Sequence, residues 1–121
     1  RRAEGVESGG MVIYKILTAE QWARLDATGT FAGAPIDLAD GYIHTSTATQ
    51  AQETADKHFA GVEGLMLAAL DSESYGSDLV WEPSRGGEDF PHIYNRPLTR
   101  SEVVWVRPMP ILDGRHVLDL A

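Results

Sequence analysis

The segment GYIHTSTATQAQETADKHFA, residues 41–60, contains a change from strand to helix around which the rest of the fold is predicted. GYIHTS favours a short strand that ends in hydroxyl side chains, and Ser46 or Thr47 is suited to cap a helix. Gln50 stands three residues after Thr47, the spacing of a capping box. Residues at helical spacing follow in Ala51, Ala55, His58 and Phe59. The sequence therefore predicts a strand followed directly by an amphipathic helix.

The residues before this segment predict a strand, a helix and a loop. MVIYKIL (11–17) is rich in β-branched and aromatic residues, as strands are. TAEQWARLDATG (18–29) predicts a helix, because Thr18 and Gln21 have capping-box spacing. GAPIDLAD (33–40) mixes glycine, proline and aspartate, which indicates a loop with one helical turn.

The residues after it predict mainly strands. GLMLAALD (64–71) is apolar on both faces, as a central strand covered on both sides would be. Further strands are predicted within DLVWEPS (78–84), EVVWVRP (102–108) and ILDGRHVLDL (111–120), and RGGEDFPH (85–92) is predicted to be a loop. The fold class is thus α+β, with a bent or split, mostly antiparallel sheet of about six short strands and two main helices.

Length and composition predict one globular domain. The chain has 121 residues, 43% hydrophobic and 23% charged, which suits a single domain over 11–121. Residues 1–10 lack periodicity and are predicted to be a flexible N-terminal extension. There are no cysteines, in keeping with a reducing, cytoplasmic setting. The longest apolar runs fall far short of the ~20 residues of a membrane helix, so no membrane partner is expected.

The charge of the chain bears on its partners. The formal net charge is −8 and the pI is about 4.8. An acidic surface repels phosphate backbones over a Debye length, which disfavours long nucleic acid as a partner. A small-molecule or nucleotide ligand in a pocket is the expected partner.

His44 is the first candidate for chemistry. It shares a strand face with Tyr42 and Ser46 and lies just before a predicted helix N-terminus, where free N–H groups favour an anion near residues 46–49. An imidazole at such a point suits catalysis or ligand binding. The alternative is a half-buried histidine bonded to backbone, with Ser46 serving only as a cap.

The second candidate is WEPSRGGEDFPHIY, residues 81–94. Glycines allow a loop to approach a ligand closely, and Arg85 offers a planar fork for phosphate or carboxylate. We expect His44, Arg85 and His92 to line the same cavity; the alternative is a solvated loop with aromatic anchors. No close pair of metal-ligand spacing occurs, so no metal is expected.

The sequence resembles the family called domain of unknown function 952 over residues 11–120. The resemblance is carried by YKILTAEQW, DLADGYIHTST, ETADKHFAG, WEPSRGGEDFPHIY, VVWVRPMP and DGRHV. More distantly, the chain is similar to the ADP-ribosyltransferase fold and, within it, to RNA 2′-phosphotransferases, which use NAD. In that comparison His44 and Ser46 match the second histidine and the serine of a strand motif. Tyr42 replaces its first histidine, and Lys15-Ile16 replaces a His-Gly of the first strand.

The distant resemblance implies an ADP-ribosyltransferase-like fold with NAD as cosubstrate and transfer at the ribose C1′. The catalytic candidates are His44, Glu82 and His92. The residues expected to bind cofactor are Lys15, Tyr42, Ser46, Trp81, Arg85 and Tyr94, with His44 and Arg85 on the diphosphate and Tyr94 or Trp81 stacked on a ring. Two alternatives stay open: a non-catalytic small-molecule-binding module, and a hydrolase or isomerase with His44 and His92 as an acid–base pair.

Overall fold

The computed structural model describes residues 11–84 and 87–120, and these form a mixed α+β fold. In chain order the elements are β1 (Val12–Leu17), α1 (Ala19–Thr28), β2 (Thr30–Phe31), α2 (Pro35–Asp40), β3 (Ile43–His44), α3 (Ala48–His58), β4 (Met66–Asp71), β5 (Leu79–Pro83), β6 (Asp89–Ile93), β7 (Leu98–Thr99), β8 (Val103–Pro108), β9 (Ile111–Leu112) and β10 (Arg115–His116). Two 3₁₀ segments, Ser72–Asp78 and Arg100–Glu102, link strands. The predicted extension, residues 1–10, lies outside the described residues.

Two three-stranded antiparallel sheets form the frame. One has the order β1-β4-β8 and the other the order β3-β6-β5. They join at one point, where Tyr14 and Ser46 exchange backbone hydrogen bonds of 2.8 and 2.9 Å. The frame is therefore a split, antiparallel arrangement, as predicted.

The first sheet is buried on both faces. Ile13 and Leu17 of β1 pack with Leu25 of α1 on one side. Tyr14 and Ile16 pack with Ala55 of α3 on the other side. The alternation of a strand divides these residues between two layers. It explains why β4, between β1 and β8, is apolar at successive positions, as predicted for a central strand.

Both long helices form where the sequence predicts them. In α1, Thr18 Oγ1 accepts from Gln21 N at 3.1 Å, and Gln21 Oε1 accepts from Thr18 N at 3.0 Å, which is the predicted capping box. In α3, Thr47 is the N-cap, and Gln50 Oε1 accepts from its backbone N–H at 3.0 Å.

The strand prediction was wrong in two respects. Residues 85–92 were predicted to be a loop, but Asp89–Ile93 form β6, which pairs with both β3 and β5. The described residues also contain ten strands rather than about six, because five pairs of residues form very short strands. Pairing partners far away in the chain decide both features, and local pattern does not report them.

The predicted turn within GAPIDLAD is a short helix, α2. Just before this helix, the backbone of Gly33 lies close to Asp37. Gly33 has φ +138°, and a Cβ at this position would lie 2.9 Å from the Cβ of Asp37. Glycine is required here for both conformation and space. The close approach sets the position from which Asp37 enters the interior.

We expect Gly33→Ala to destabilise the protein more than Gly41→Ala, its matched control at the other end of α2. Gly41 has φ +87°, but a Cβ there would meet nothing within 4 Å. Gly41→Ala should therefore lose only the stability that a positive φ costs a residue with a Cβ, about 1–2 kcal/mol. Urea unfolding at neutral pH measures the difference. Equal losses of stability would contradict the inferred contact with Asp37.

Candidate functional site

A cavity of about 560 Å³ lies where the two sheets meet. Both partners of the bridge, Tyr14 and Ser46, line it. Most of the remaining lining comes from β1, α2, α3 and the paired strands β3 and β6, so distant parts of the chain converge on one space.

Asp37 lies beside this cavity and holds the polar groups around it in place. Its side chain is only 1% exposed. Its carboxylate accepts from Lys15 Nζ at 2.9 Å, Ala34 N at 2.8 Å, His44 N at 3.0 Å and His44 Nδ1 at 2.6 Å. Burial opposes ionisation, yet the bonds from His44 and the charge of Lys15 hold the pKa of Asp37 well below its usual range.

Lys15 is a buried partner of Asp37 rather than a free cation. Its ammonium donates to both oxygens of Asp37, at 3.1 and 2.9 Å, and to His44 O at 2.9 Å. Burial lowers the pKa of Lys15, and the charge of Asp37 opposes that shift. An ammonium has three donors, and all three are used here. The predicted role of Lys15 in binding cofactor is replaced by a role in holding Asp37 and His44.

His44 contacts a carboxylate at each ring nitrogen. Nδ1 lies 2.6 Å from Asp37 Oδ1, and Nε2 lies 3.0 Å from Asp40 Oδ2. Only a ring that is protonated at both nitrogens can donate to both oxygens. The ring of His44 is thus held between two carboxylates, one at each nitrogen.

His92 has a different environment. Its Nδ1 lies 2.8 Å from Glu82 Oε1, which also accepts a hydrogen bond from the Tyr94 hydroxyl. The bonds from Tyr94 and His92 lower the pKa of Glu82, and the bond to Glu82 raises the pKa of Tyr94 to about 12. A carboxylate accepts, so Nδ1 of His92 donates, and in a neutral ring Nε2 is then the acceptor. Nε2 is buried and has no hydrogen-bond partner among the described residues.

Tyr42 packs between the two histidines. Its ring stacks on that of His92 at 4.1 Å between centroids and lies 4.6 Å from that of His44. The histidine rings themselves are 5.5 Å apart. Burial raises the pKa of Tyr42, and the nearby carboxylates of Asp40, Glu82 and Asp37 raise it further. The aromatic ring and the two imidazoles thus form one cluster.

The structure confirms that His44 and His92 line the same cavity. They are direct cross-strand partners in the β3–β6 pair, which puts their side chains on one face. Arg85, predicted to join them, lies outside the described residues. Ser46 also lines the cavity, and its hydroxyl lies 3.0 Å from Thr54 Oγ1.

Two segments of the predicted site lie outside the lining of the cavity. Trp81 does not line the cavity: it is 41% exposed and opposite Pro91 in the register, so it lies on the other face of β5 from Glu82. The alternation of strand residues separates these neighbours. The first turn of α3 does not line the cavity either; later residues of that helix, Glu53, Thr54 and Lys57, do.

Asp37 and Asp40 were not identified from sequence. The available signal is local: Asp40 precedes His44 by four residues, and Asp37 stands three residues after the N-cap of α2. No cluster of three or more potential metal ligands occurs within residues 11–84 and 87–120. No helix in those ranges is long and apolar enough to cross a membrane.

The fold and the site define a small α+β protein with a histidine–carboxylate cluster at the junction of two sheets. The chain belongs to the DUF952 family of proteins of unknown function, whose sequence model matches residues 16–106. It resembles the crystal structure of protein CC0527 from Caulobacter crescentus, with 48% identity, a TM-score of 0.84 and coverage of 88% of this chain and 94% of that one. The solution NMR structure of CC0527 has a TM-score of 0.78, with coverage of 87% and 90%. No curated protein matches the chain.

We expect Asp37→Asn to destabilise the protein by about 3–5 kcal/mol, because it leaves the buried ammonium of Lys15 without its counter-ion. Lys15→Met/Asp37→Asn should recover much of that loss, since neither charge remains. Asp26→Asn, in an exposed pair with Arg100, is the control and should cost about 1 kcal/mol or less. Urea unfolding measures all three. A double variant that is no more stable than Asp37→Asn would show that Lys15 and Asp37 are not coupled in this way.

The same pair predicts a dependence of stability on pH. Aspartate in an unfolded chain titrates near pH ~3.9, whereas the pKa of folded Asp37 is lower, so the unfolded state binds more protons in this range. The stabilisation is complete above about pH 5 and is lost as the pH falls towards about pH 2. Unfolding free energies across this window should fall more steeply for the wild type than for Lys15→Met/Asp37→Asn. Parallel curves would contradict the assignment.

Proposed function

We propose that this protein is an acid–base enzyme in which His92 is the general base and His44 the general acid, acting on a small molecule in the cavity. The observation that carries this proposal is the buried Nε2 of His92, which has no partner among the described residues while Nδ1 is bonded to Glu82. A carboxylate that orients an imidazole and leaves its other nitrogen available is suited to proton abstraction. Hydrolysis and isomerisation are the reaction classes that need only such a pair.

The two imidazoles have different carboxylate neighbours, which suits them to different roles. His92 has one carboxylate, at Nδ1, and an Nε2 unpartnered among the described residues, whereas His44 has a carboxylate at each ring nitrogen. The Nδ1 proton of His44 is fixed by buried Asp37, so the proton available for transfer is on Nε2, shared with half-exposed Asp40. In hydrolysis, His92 takes a proton from water and His44 gives one to the leaving atom. In isomerisation, His92 takes a proton from one atom of the substrate and His44 gives a proton to another.

Tyr42 and Tyr94 support this arrangement without taking part in proton transfer. Tyr42 covers one face of the His92 ring, and Tyr94 donates to the same Glu82 oxygen that His92 contacts. The raised pKa values of both phenols keep them protonated at neutral pH. They act as positioning groups for the base.

A second candidate function is the binding of NAD or another ADP-ribosyl compound, with ADP-ribosyl transfer in an ADP-ribosyltransferase-like fold. The split between two sheets that are bridged at Tyr14 and Ser46, with a cavity at the split, favours it. Tyr42 offers a ring for stacking. The described site supports the diphosphate role of His44 poorly, because Asp37 and Asp40 already occupy both nitrogens. Binding without turnover would favour the third alternative, a non-catalytic small-molecule-binding module.

We expect a screen of hydrolysable esters, amides and glycosides, together with NAD, to give turnover that depends on His92. His92→Gln should abolish the activity, and Glu82→Gln should lower kcat by about a hundred- to ten-thousandfold, the usual range for general acid–base catalysis. Mass spectrometry of substrate and product provides the measurement, with all variants run in parallel.

The matched control is His116→Gln. His116 is also buried, but its Nε2 bonds Val62 O at 2.8 Å and it does not line the cavity. This variant should keep its activity per folded molecule. Turnover that is equal in the wild type and His92→Gln would eliminate the proposal, and release of nicotinamide from NAD would favour the second candidate.

A further inference from the structure

The hydroxyl groups of Ser46 and Thr54 form a hydrogen-bond chain in which the direction of donation is fixed. Thr54 Oγ1 donates its single proton to Gln50 O at 3.1 Å. In the 3.0 Å contact between Thr54 and Ser46, Thr54 therefore accepts and Ser46 Oγ donates. The proton of Ser46 is thus directed into α3. What Ser46 Oγ offers to a ligand is its lone pairs.

Three further residues around Ser46 have their donors directed at protein acceptors in the same way. The three donors of Lys15 are used by Asp37 and by His44 O. Both ring N–H groups of His44 are directed at carboxylates. The hydroxyl of Thr45 donates to Pro91 O at 2.6 Å. Within the described part of the chain, Ser46, Asp40 and His92 present acceptor atoms, and we call these three residues the acceptor wall.

The electrostatics of the acceptor wall agree with its hydrogen bonding. Tyr42 lies against it, and the pKa of this phenol is raised by burial and then by three carboxylates, those of Asp40, Glu82 and Asp37. A negative charge placed beside Tyr42 meets the same repulsion. Phosphate and carboxylate groups have no proton to donate to the wall, whereas hydroxyl groups do.

The rest of the cavity selects for a compact ring. Its lining includes the apolar side chains of Ile16, Phe59 and Phe90. A ring with hydroxyl groups on its edge and C–H groups on its faces presents donors to the acceptor wall and apolar surface to these side chains. Few uncharged small molecules other than sugar-like polyols combine both.

We infer that the acceptor wall binds an uncharged, hydroxyl-bearing ring of the substrate, of the sugar or cyclic polyol class, and discriminates against anionic groups at that point. This deepens the proposed function and rests on it, since the hydroxyl nearest to Nε2 of His92 would be the one that loses a proton. His92 accepts that proton through its lone pair, and the remaining hydroxyls bond to Ser46 and Asp40.

The test compares matched pairs of probes that share one ring: D-glucose with D-glucuronate, and D-galactose with D-galacturonate. Binding is followed by shifts of the backbone amides of Ser46 and His92 in ¹H–¹⁵N spectra. Each neutral member should bind at least about tenfold more tightly than its anionic partner. Equal or tighter binding of the anions, or an absence of shifts with both neutral sugars up to their solubility limits, would overturn the inference.

Thr54→Val provides the sharper variant, because valine has the shape of threonine but cannot accept the Ser46 proton. That proton is then free to donate to a ligand, so the preference for neutral over anionic probes should shrink towards unity. Ser77→Ala, at an exposed serine that does not line the cavity, is the control and should leave the preference unchanged. A preference that survives in Thr54→Val would contradict the assigned direction of the hydroxyl chain.

These measurements separate the inference from the proposed function, because binding needs no turnover. If neutral sugars bind at the acceptor wall but no reaction depends on His92, the proposed enzymatic activity is contradicted and the inference about binding is supported. If His92 turns over an anionic substrate and neutral probes bind no more tightly than anionic ones, the enzymatic activity is supported and the inference about binding is contradicted.

Discussion

The burial of one carboxylate, that of Asp37, determines how the site is assembled. An ionised group that is 1% exposed must have its oxygens satisfied by donors, and here these come from Lys15 on β1, from the entry to α2, and from both the backbone and the ring of His44. Three separate parts of the chain are thereby fixed relative to one another. The orientation of His44 follows from that constraint.

The Lys15–Asp37 pair is better understood through the site than through stability. A buried ion pair is frequently no more stabilising than apolar residues of similar volume. This one, however, makes three hydrogen bonds with His44, since Lys15 bonds its carbonyl and Asp37 bonds both its backbone N–H and its ring. An apolar replacement would keep the packing and lose the control over the imidazole. We therefore interpret the pair as a device that specifies the orientation and charge of His44.

The sequence predicted whatever depends on local pattern. Thr18 and Gln21 mark the start of α1 by their spacing, and alternation along GYIHTS placed His44 and Ser46 on one face. What failed depends on distant contacts. Lys15 is 22 residues from Asp37, so its use as a counter-ion has no local signal. Trp81 was predicted to stack on a ring of the ligand, and its place on β5, which turns it away from Glu82, depends on the pairing of β5 with β6.

The two histidines show how one residue type is given opposite roles by its neighbours. His44 and His92 face each other across a strand pair, with ring centroids 5.5 Å apart. The first ring has a carboxylate at each nitrogen, whereas the second has one carboxylate at Nδ1 and a buried Nε2 without a partner among the described residues. Acid–base sites typically contain two titratable groups whose environments differ in this way.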